Sequence, residues 1–475
     1  MEHARAMSKK ITTRLVKIIL LLTLFGCDFF YYQSVKKLEK AGYFEIARKK
    51  YEERLINESN SSKKAWLHYK IARCYEYEKK LAKAEKEYFK GIQIDSSEAE
   101  ASYIALGQLL IKRGKYKKII ELYEKLLKKN LFTKEHGVFK LYLGRSYLEL
   151  NLYSSAQKEL NNLIIGNYSD TIKSNAYYFL GLLDLKLGEI DIGIKQIEKA
   201  IELNSKNPDP YISVAIEYAK KEDYKKAKDY LKDSILLDPN KSEAYHNLGH
   251  ILQIEGDFDK AIELYTKALK LDNDLLETHY RLAILFIEKK NFDYARYHLN
   301  KIHDTKSTYI NAKKYFGKIY MLEGSFELAI SELESGLKLF PNDEEAIYLL
   351  AIAYGNDNKY KKSLDSLLAL EKLNNSYQDL YAKIGDLYLI LREEKKASIY
   401  YNKELSRNPK SSPATIGVMK IEAAKKNPNL DTIVDLIRKA IENGWSDIEG
   451  LKKSPFLKNV IKNKRVQRSL ETKTI

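Results

Sequence analysis

Apolar residues along this chain recur at i, i+3, i+4 and i+7 over one stretch, give way to a short polar break, and then recur in the same way. Each stripe predicts an amphipathic helix, and the breaks predict tight helix–helix turns. The pattern is clearest between Pro208 and Asn273. There PDPYISVAIEYAKKEDYKKAKDYLKDSILLDPN is followed by SEAYHNLGHILQIEGDFDKAIELYTKALKLDN. Tyr211 superposes on Tyr245, Val214 on Leu248, Ala215 on Gly249, Tyr224 on Phe258, Ala227 on Ala261, Leu231 on Tyr265 and Leu237 on Leu271, an offset of 34 residues. A fixed period of this length predicts stacked helix pairs, each burying its apolar faces only against its neighbours.

Extending the period gives units starting near 28, 65, 100, 137, 174, 208, 242, 276, 310, 344, 378 and 412, with spacings of 34 from 174 onward. The earlier spacings are longer, as at Asn57 to Ser62 (NESNSS). The break inside a unit often holds glycine (Gly42, Gly114, Gly188, Gly256, Gly324), which predicts a left-handed residue leaving the first helix. A small residue recurs at the eighth phase: Ala72, Gly107, Gly144, Gly181, Ala215, Gly249, Ala283, Gly317, Ala351 and Gly385. Another recurs at Ala47, Ala84, Ala156, Ala227, Ala261, Ala295, Ala329 and Ala397. Ile119 replaces this second small residue and is bulky enough to distort its unit. Pro239, Pro341 and Pro409 share one phase, where proline stops a helix.

The agreement of so many phases resembles the tetratricopeptide repeat over roughly residues 28–443. The resemblance implies an all-α solenoid: antiparallel helix pairs stacked as a right-handed superhelix with an inner groove. The last unit, from Ser412, is degenerate, and Trp445, Leu451, Phe456 and Leu457 are expected to form a cap over the open end. Residues after Ile461 are polar and basic and are expected to fray. The expected divisions are thus 27–64 (anchor cysteine and first repeat), 65–411 (array), 412–460 (degenerate repeat and cap) and 461–475 (basic tail).

Carried over from the family, the groove-facing phases hold Tyr69, Lys70 and Arg73, then Tyr142 and Arg145, then Tyr178 and Phe179. Further on come His246, Asn247 and His250, then Tyr280 and Arg281, then Lys314, Tyr315 and Lys318, then Tyr348. Rings interleaved with cations suit an extended peptide, with rings taking apolar side chains and Arg or Lys taking carboxylates. The alternative is that many of these rings pack between neighbouring units. Lys314 and Lys318 match two phases of the family's clamp for acidic C-termini, but the asparagine is missing. His246 and His250 are an i, i+4 pair without a third metal ligand.

The array begins close to a segment of another kind. Lys9, Lys10, Arg14 and Lys17 precede the apolar run Ile18 to Phe25, and Gly26 precedes Cys27. Residues 1–26 read as a targeting segment, with either Met1 or Met7 as the start. The apolar run is too short for a spanning helix, which needs about 20 residues. Leu24-Phe25-Gly26-Cys27 resembles a bacterial lipobox, although Phe25 is bulkier than the usual residue there. By that resemblance Cys27 is acylated and becomes the N-terminus of a lipoprotein of the cell envelope. Asp28 resembles an inner-membrane retention signal, a rule confined to some bacteria, so the choice of membrane stays open. Two or three acyl chains hold stably where one does not.

The formal charge of +17 falls to +13 once residues 1–26 are removed, with basic residues going from 82 to 77 and acidic from 65 to 64. For an exported chain this points away from nucleic acid and towards anionic lipid, cell-wall polymer or acidic proteins. The abundance of Tyr (37) over Phe (15) and Trp (2) suits thin helical layers that bury a ring and leave its hydroxyl near water. Cys74 lies in an apolar stripe and is expected to be a small core residue, since no disulfide partner remains for it. There is no Gly-rich phosphate loop, GxSxG, HExxH or cysteine pair for metal, and the repeats leave no room for a second fold. The expected function is therefore a non-catalytic, membrane-anchored scaffold without cofactor that binds protein or peptide partners. The alternative is an accessory factor bringing cell-wall polymer to an enzyme.

Overall fold

In a computed structural model of the chain, which describes residues 31–94, 99–128, 136–305 and 311–471, the apolar stripes are helices and the polar breaks are turns. The targeting segment and Cys27 lie outside the described residues. Two compact units divide the chain, Met1–Asn247 and Leu248–Ile475. Each is an all-α helix-pair solenoid, with no strand among the described residues.

In the first unit a helical stretch over 31–40 precedes helix Phe44–Asn57. Antiparallel pairs follow: Ser61–Tyr77 with Leu81–Ile94, Glu100–Lys112 with Tyr116–Lys128, and His136–Glu149 with Tyr153–Ile165. Asp170–Lys186 then pairs with Ile190–Leu203, and Pro208–Lys220 with Tyr224–Leu237. The second unit runs through the pairs Leu276–Glu288 with Phe292–Asp304, Ala312–Leu322 with Phe326–Leu339, and Glu344–Asn356 with Tyr360–Leu373. Leu380–Ile390 with Glu394–Arg407 and Ser412–Ala424 with Leu430–Glu442 complete it.

The turn inside each pair is set by backbone handedness. The fifteenth phase has positive φ in every unit from 28 to 378, at Gly42, Lys79, Gly114, Asn151, Gly188, Glu222, Gly256, Lys290, Gly324, Asn358 and Arg392. Glycine there was legible in the sequence. The structure adds that lysine, glutamate and arginine are held in the same conformation, with φ between 55° and 62° at Lys290 and Glu222. Pro239, Pro341 and Pro409 each follow a helix that ends two residues earlier, at Leu237, Leu339 and Arg407.

Helix pairs close by inserting a large second-helix side chain against the small eighth-phase residue sixteen positions before it. A methyl group on Gly144 would lie 2.7 Å from Leu160, on Gly317 2.5 Å from Leu333, and on Gly249 3.1 Å from Tyr265. The second small residue is fully buried from Ala47 to Ala397. Ile119 is also fully buried, and its pair, Glu100–Lys112 with Tyr116–Lys128, packs less closely than the pairs on either side. Cys74 is buried with a free thiol whose pKa is pushed up to about 12 by burial.

The C-terminus departs from expectation. Leu451 and Leu457 are buried beneath the last helix pair, as a cap requires. Among the described residues after Ile461, however, the chain does not fray. Lys464–Glu471 is a helix packed on Leu430–Glu442, burying Val466 and Leu470. Two apolar residues at i and i+4 are enough to seat it, and its polar majority faces outward.

Candidate partner-binding face

The first helices form the tighter layer of each unit. His136–Glu149 touches both Glu100–Lys112 and Asp170–Lys186. In the second unit Ala312–Leu322 touches Glu344–Asn356, and Leu380–Ile390 touches Ser412–Ala424. The second helices of these repeats stand apart. Residues at the groove-facing phases therefore meet across repeats, and the structure shows what each has met.

In the first unit Tyr69 packs on Tyr88, 6.0 Å between centroids, and Tyr142 on Tyr123 at 5.7 Å. Tyr178 lies beside Phe179, and its hydroxyl is 3.1 Å from that of Ser213 in the next repeat. Burial pushes the pKa values of Tyr142 and Tyr178 up. Lys70 is held by Glu39 at 2.9 Å. Arg73 bonds only the hydroxyl of Tyr77, at 3.2 Å, and stacks on its ring. The Arg145 guanidinium lies 5.5 Å from the Phe179 ring centre, and its Nε is buried with no hydrogen-bond partner. Among the described residues neither Arg73 nor Arg145 pairs with a carboxylate. His246 is half-buried on helix Ser242–Ile254, and the side-chain amide of Asn247 donates to the Glu243 carbonyl at 2.8 Å.

The second unit treats its cations differently. Arg281 pairs with Glu277 at 2.9 Å. Lys314 pairs with Glu345 at 2.9 Å and Asp343 at 3.3 Å, and Lys318 approaches Glu345 at 3.8 Å. Burial opposes the charge on Lys314, but the bonds to Glu345 and Asp343 outweigh it and push its pKa up. Asp343 also caps helix Glu344–Asn356 through the Ala346 amide and accepts from Asn311. Tyr280 and Tyr315 share a hydrogen bond of 2.7 Å, at the same two phases that pair Tyr178 with Ser213. Tyr348 packs on Tyr377 at 5.0 Å, and Lys383 lies over its ring. His250 is half-buried, and burial followed by Arg281 pushes its pKa down.

Five of the twelve sequence-derived residues are cations with a formal charge, Arg or Lys, and they fall into two groups. Arg73 and Arg145 keep their charge available beside rings, whereas Arg281, Lys314 and Lys318 face carboxylates of their own chain. The sequence reading missed Glu345 and Asp343, which neutralise the cations of the preceding repeat. The acidic run Asp343-Glu344-Glu345, at the junction into the repeat that follows Lys313-Lys314, carried that signal. Among the described residues no group of three His, Cys, Asp or Glu converges as a metal site, and no helix is long and apolar enough to cross a membrane.

Sequence models of the tetratricopeptide repeat match residues 102–135, 174–207, 209–241, 242–275 and 378–411. The chain therefore carries tetratricopeptide repeats at these positions, and the matched starts at 174, 242 and 378 coincide with the phases of the sequence period. The chain is 25% identical over 266 residues to a BBSome complex member of Bos taurus, BBS4, covering 55% of this chain and 50% of that one. It is 24% identical over 396 residues to a TPR repeat-containing protein of Methanocaldococcus jannaschii, covering 71% of this chain and 67% of that one. It thus spans half the length of the first relative and about two thirds of the second. Among solved structures, the type IV pilus biogenesis factor PilW superposes with a TM-score of 0.41 at 19% identity, over 44% of this chain and 98% of that one.

Proposed function

We propose that this chain is a non-catalytic scaffold whose first-helix face, in the unit ending at Asn247, captures an extended acidic segment of a protein partner. The observation that carries this reading is the pair Arg73 and Arg145. Each is a permanent cation seated among rings on the face where repeats meet, and neither is neutralised by its own chain. A guanidinium with a buried, unpartnered N–H gains most from an incoming carboxylate, which supplies acceptor and counter-charge together. Tyr69, Tyr142 and Phe179 offer apolar surface for the side chains flanking that carboxylate.

In the same proposal the chain is a bacterial envelope lipoprotein, tied to the membrane through acylated Cys27. The support is the run Leu24-Phe25-Gly26-Cys27 behind a basic, then apolar, segment. Cells making the parent protein or Cys27→Ala are fed labelled fatty acid. Label in the parent alone, with loss of the variant from the membrane fraction, is the expected result; an unlabelled parent removes the anchor.

The capture reading is tested by placing a photocrosslinking residue at Tyr142 and, as a control, at the exposed second-helix residue Lys158. A partner crosslinked from Tyr142 and not from Lys158, and lost in Arg73→Glu/Arg145→Glu with helical circular dichroism unchanged, is expected. Persistence of that crosslink in the double variant overturns the assignment.

A further inference from the structure

A pocket of about 510 Å³ opens on the second-helix layer of the second compact unit. Helices Phe258–Leu271 and Phe292–Asp304 form its walls, and Leu276–Glu288 its floor. Two histidines shape it, by contrast with two tyrosine-paired units. In two other units, those from 208 and 378, the fourth and twenty-third phases hold a tyrosine pair, Tyr211 with Tyr230 and Tyr381 with Tyr400, each with ring centroids 6.2 Å apart. The second tyrosine of each pair reaches back to the preceding second helix: Tyr230 donates to Glu198 at 3.0 Å and Tyr400 to Glu371 at 3.2 Å. That bridge closes the gap between second helices. In the unit from Leu276 the same two phases hold His279 and His298, and the positions matching Glu198 and Glu371 are Thr266 and Leu269. The shorter rings do not span the gap, and both Thr266 and Leu269 line the space left open.

The hydrogen bonds fix what the pocket presents. Tyr211 and Tyr245 donate to backbone carbonyls six residues earlier, at Ser205 and Pro239, both at 3.2 Å. His279 Nε2 occupies the same relationship with the Asn273 carbonyl at 3.1 Å, and a carbonyl only accepts, so Nε2 carries the proton. His279 Nδ1 is then an acceptor, and His298 Nδ1, 2.8 Å away, must donate to it. This leaves His298 Nε2 as a lone pair. His298 is 7% exposed, lines the pocket, and is framed by Phe286, whose ring lies parallel to its own at 5.8 Å, and by Tyr297 at 5.1 Å. Burial pushes both imidazoles down, His298 to about 4, so the pair stays neutral near pH 7.

We propose that this pocket binds a small neutral aromatic molecule carrying one O–H or N–H donor, of bicyclic phenol or indole size, with the donor bonded to His298 Nε2. Such a molecule takes the place that a tyrosine ring fills in the units from 208 and 378: its body fills apolar space against Leu269, Leu282 and Phe286, and its donor satisfies the buried acceptor of His298. The volume lies within the range of ligand pockets, roughly 300–1,000 Å³. Lys270 and Asp293 stand exposed on the lining; at the buried His298 Nε2 a carboxylate would meet a lone pair and a cation an uncharged imidazole.

The test is calorimetric titration of the full-length protein with 2-naphthol and with 2-methoxynaphthalene, which has the same body without the donor. One-to-one binding of 2-naphthol, about tenfold tighter than the ether, is expected from a single added hydrogen bond. His298→Tyr, alone or with Thr266→Glu, copies the closed arrangement of the tyrosine-paired repeats and should abolish binding of both. Equal affinity for the two compounds, or undiminished binding by His298→Tyr with its helical circular dichroism intact, overturns the proposal. An independent reading on the unaltered protein is the His298 Nε2 nitrogen chemical shift, which should move at saturating 2-naphthol. A stationary signal during measurable binding likewise overturns it.

Discussion

The ring of Tyr401 occupies the place a side chain on Gly385 would need: a methyl group there would lie 2.6 Å from its Cε1. The same edge of the ring also lies against Gly417 of the next repeat, and its hydroxyl donates to Asp386 at 2.7 Å. Two glycines and one tyrosine thus join successive repeats. Gly385→Ala should cost about 1–3 kcal/mol through overpacking. Combined with Tyr401→Leu, the arrangement Ala351 already makes with Leu367, the two losses should be less than additive. Denaturant unfolding of the three variants checks this, and strict additivity would remove the coupling.

The left-handed turn residues give a prediction of opposite signs. A side chain at positive φ is strained, so Glu222→Gly should stabilise the first unit by about 0.5 kcal/mol. Gly256→Ala should destabilise its own turn by about 1 kcal/mol. Thermal melts of both variants decide it. No gain at Glu222 would mean that its side chain contributes more than the strain it bears.

Asp343 has three tasks at one junction: capping the Ala346 amide, accepting from Asn311 and pairing with Lys314. Asp343→Ala should cost about 1–2 kcal/mol, since a lost cap alone is worth about 1 kcal/mol. Asp343→Asn keeps an acceptor for the cap and should cost less, the difference measuring the ion pair. Raising the salt concentration should shrink that difference.

The histidine pair makes stability depend on pH. Both pKa values are lowered in the fold, so the folded chain binds fewer protons than the unfolded one below pH 6.5, and acidification destabilises it. The contribution is complete above about pH 6.5 and is lost as pH falls towards 4. The loss amounts to roughly 2 kcal/mol at pH 5 for His298 alone. Protonation would set two donors against each other at Nδ1. The charges bearing on His279 are Lys301, which opposes its protonation, and Asp274, which favours it. The melting temperature should fall between pH 7 and pH 5, and His298→Tyr should flatten that fall. Parallel profiles for the two proteins would show that other groups govern the acid limb.

What the sequence made legible follows from what repeats. The period, the small residues facing Leu160, Leu333 or Tyr401, and the glycine turns recur often enough for phase alone to reveal them. Single departures do not recur and were harder to read. His279 and His298 stand nineteen residues apart, at two phases where only the units from 208 and 378 pair tyrosines, whereas the adjacent-turn pair His246 and His250 drew notice by its spacing. Lys314 reads as an available cation until Glu345 is placed beside it, and that requires knowing which turn of the next helix comes within reach. Val466 and Leu470 seat a terminal helix with a stripe of two residues, too short to register as periodic.

The uniform 34-residue spacing from 174 to 412 also governs how such a chain can change in length. Removing residues 208–241 joins one complete cassette to another, and every stripe still meets the partner surface it was built for. Removing one residue fewer rotates each later helix face by about 100° about its axis at the junction. Within this stretch growth and loss therefore proceed by whole cassettes, whereas before 174 extra residues are taken up between repeats, as at Asn57 to Ser62. A cassette carrying a departure, such as the one with His279 and His298, can be copied or discarded as a unit while the rest of the array keeps its geometry.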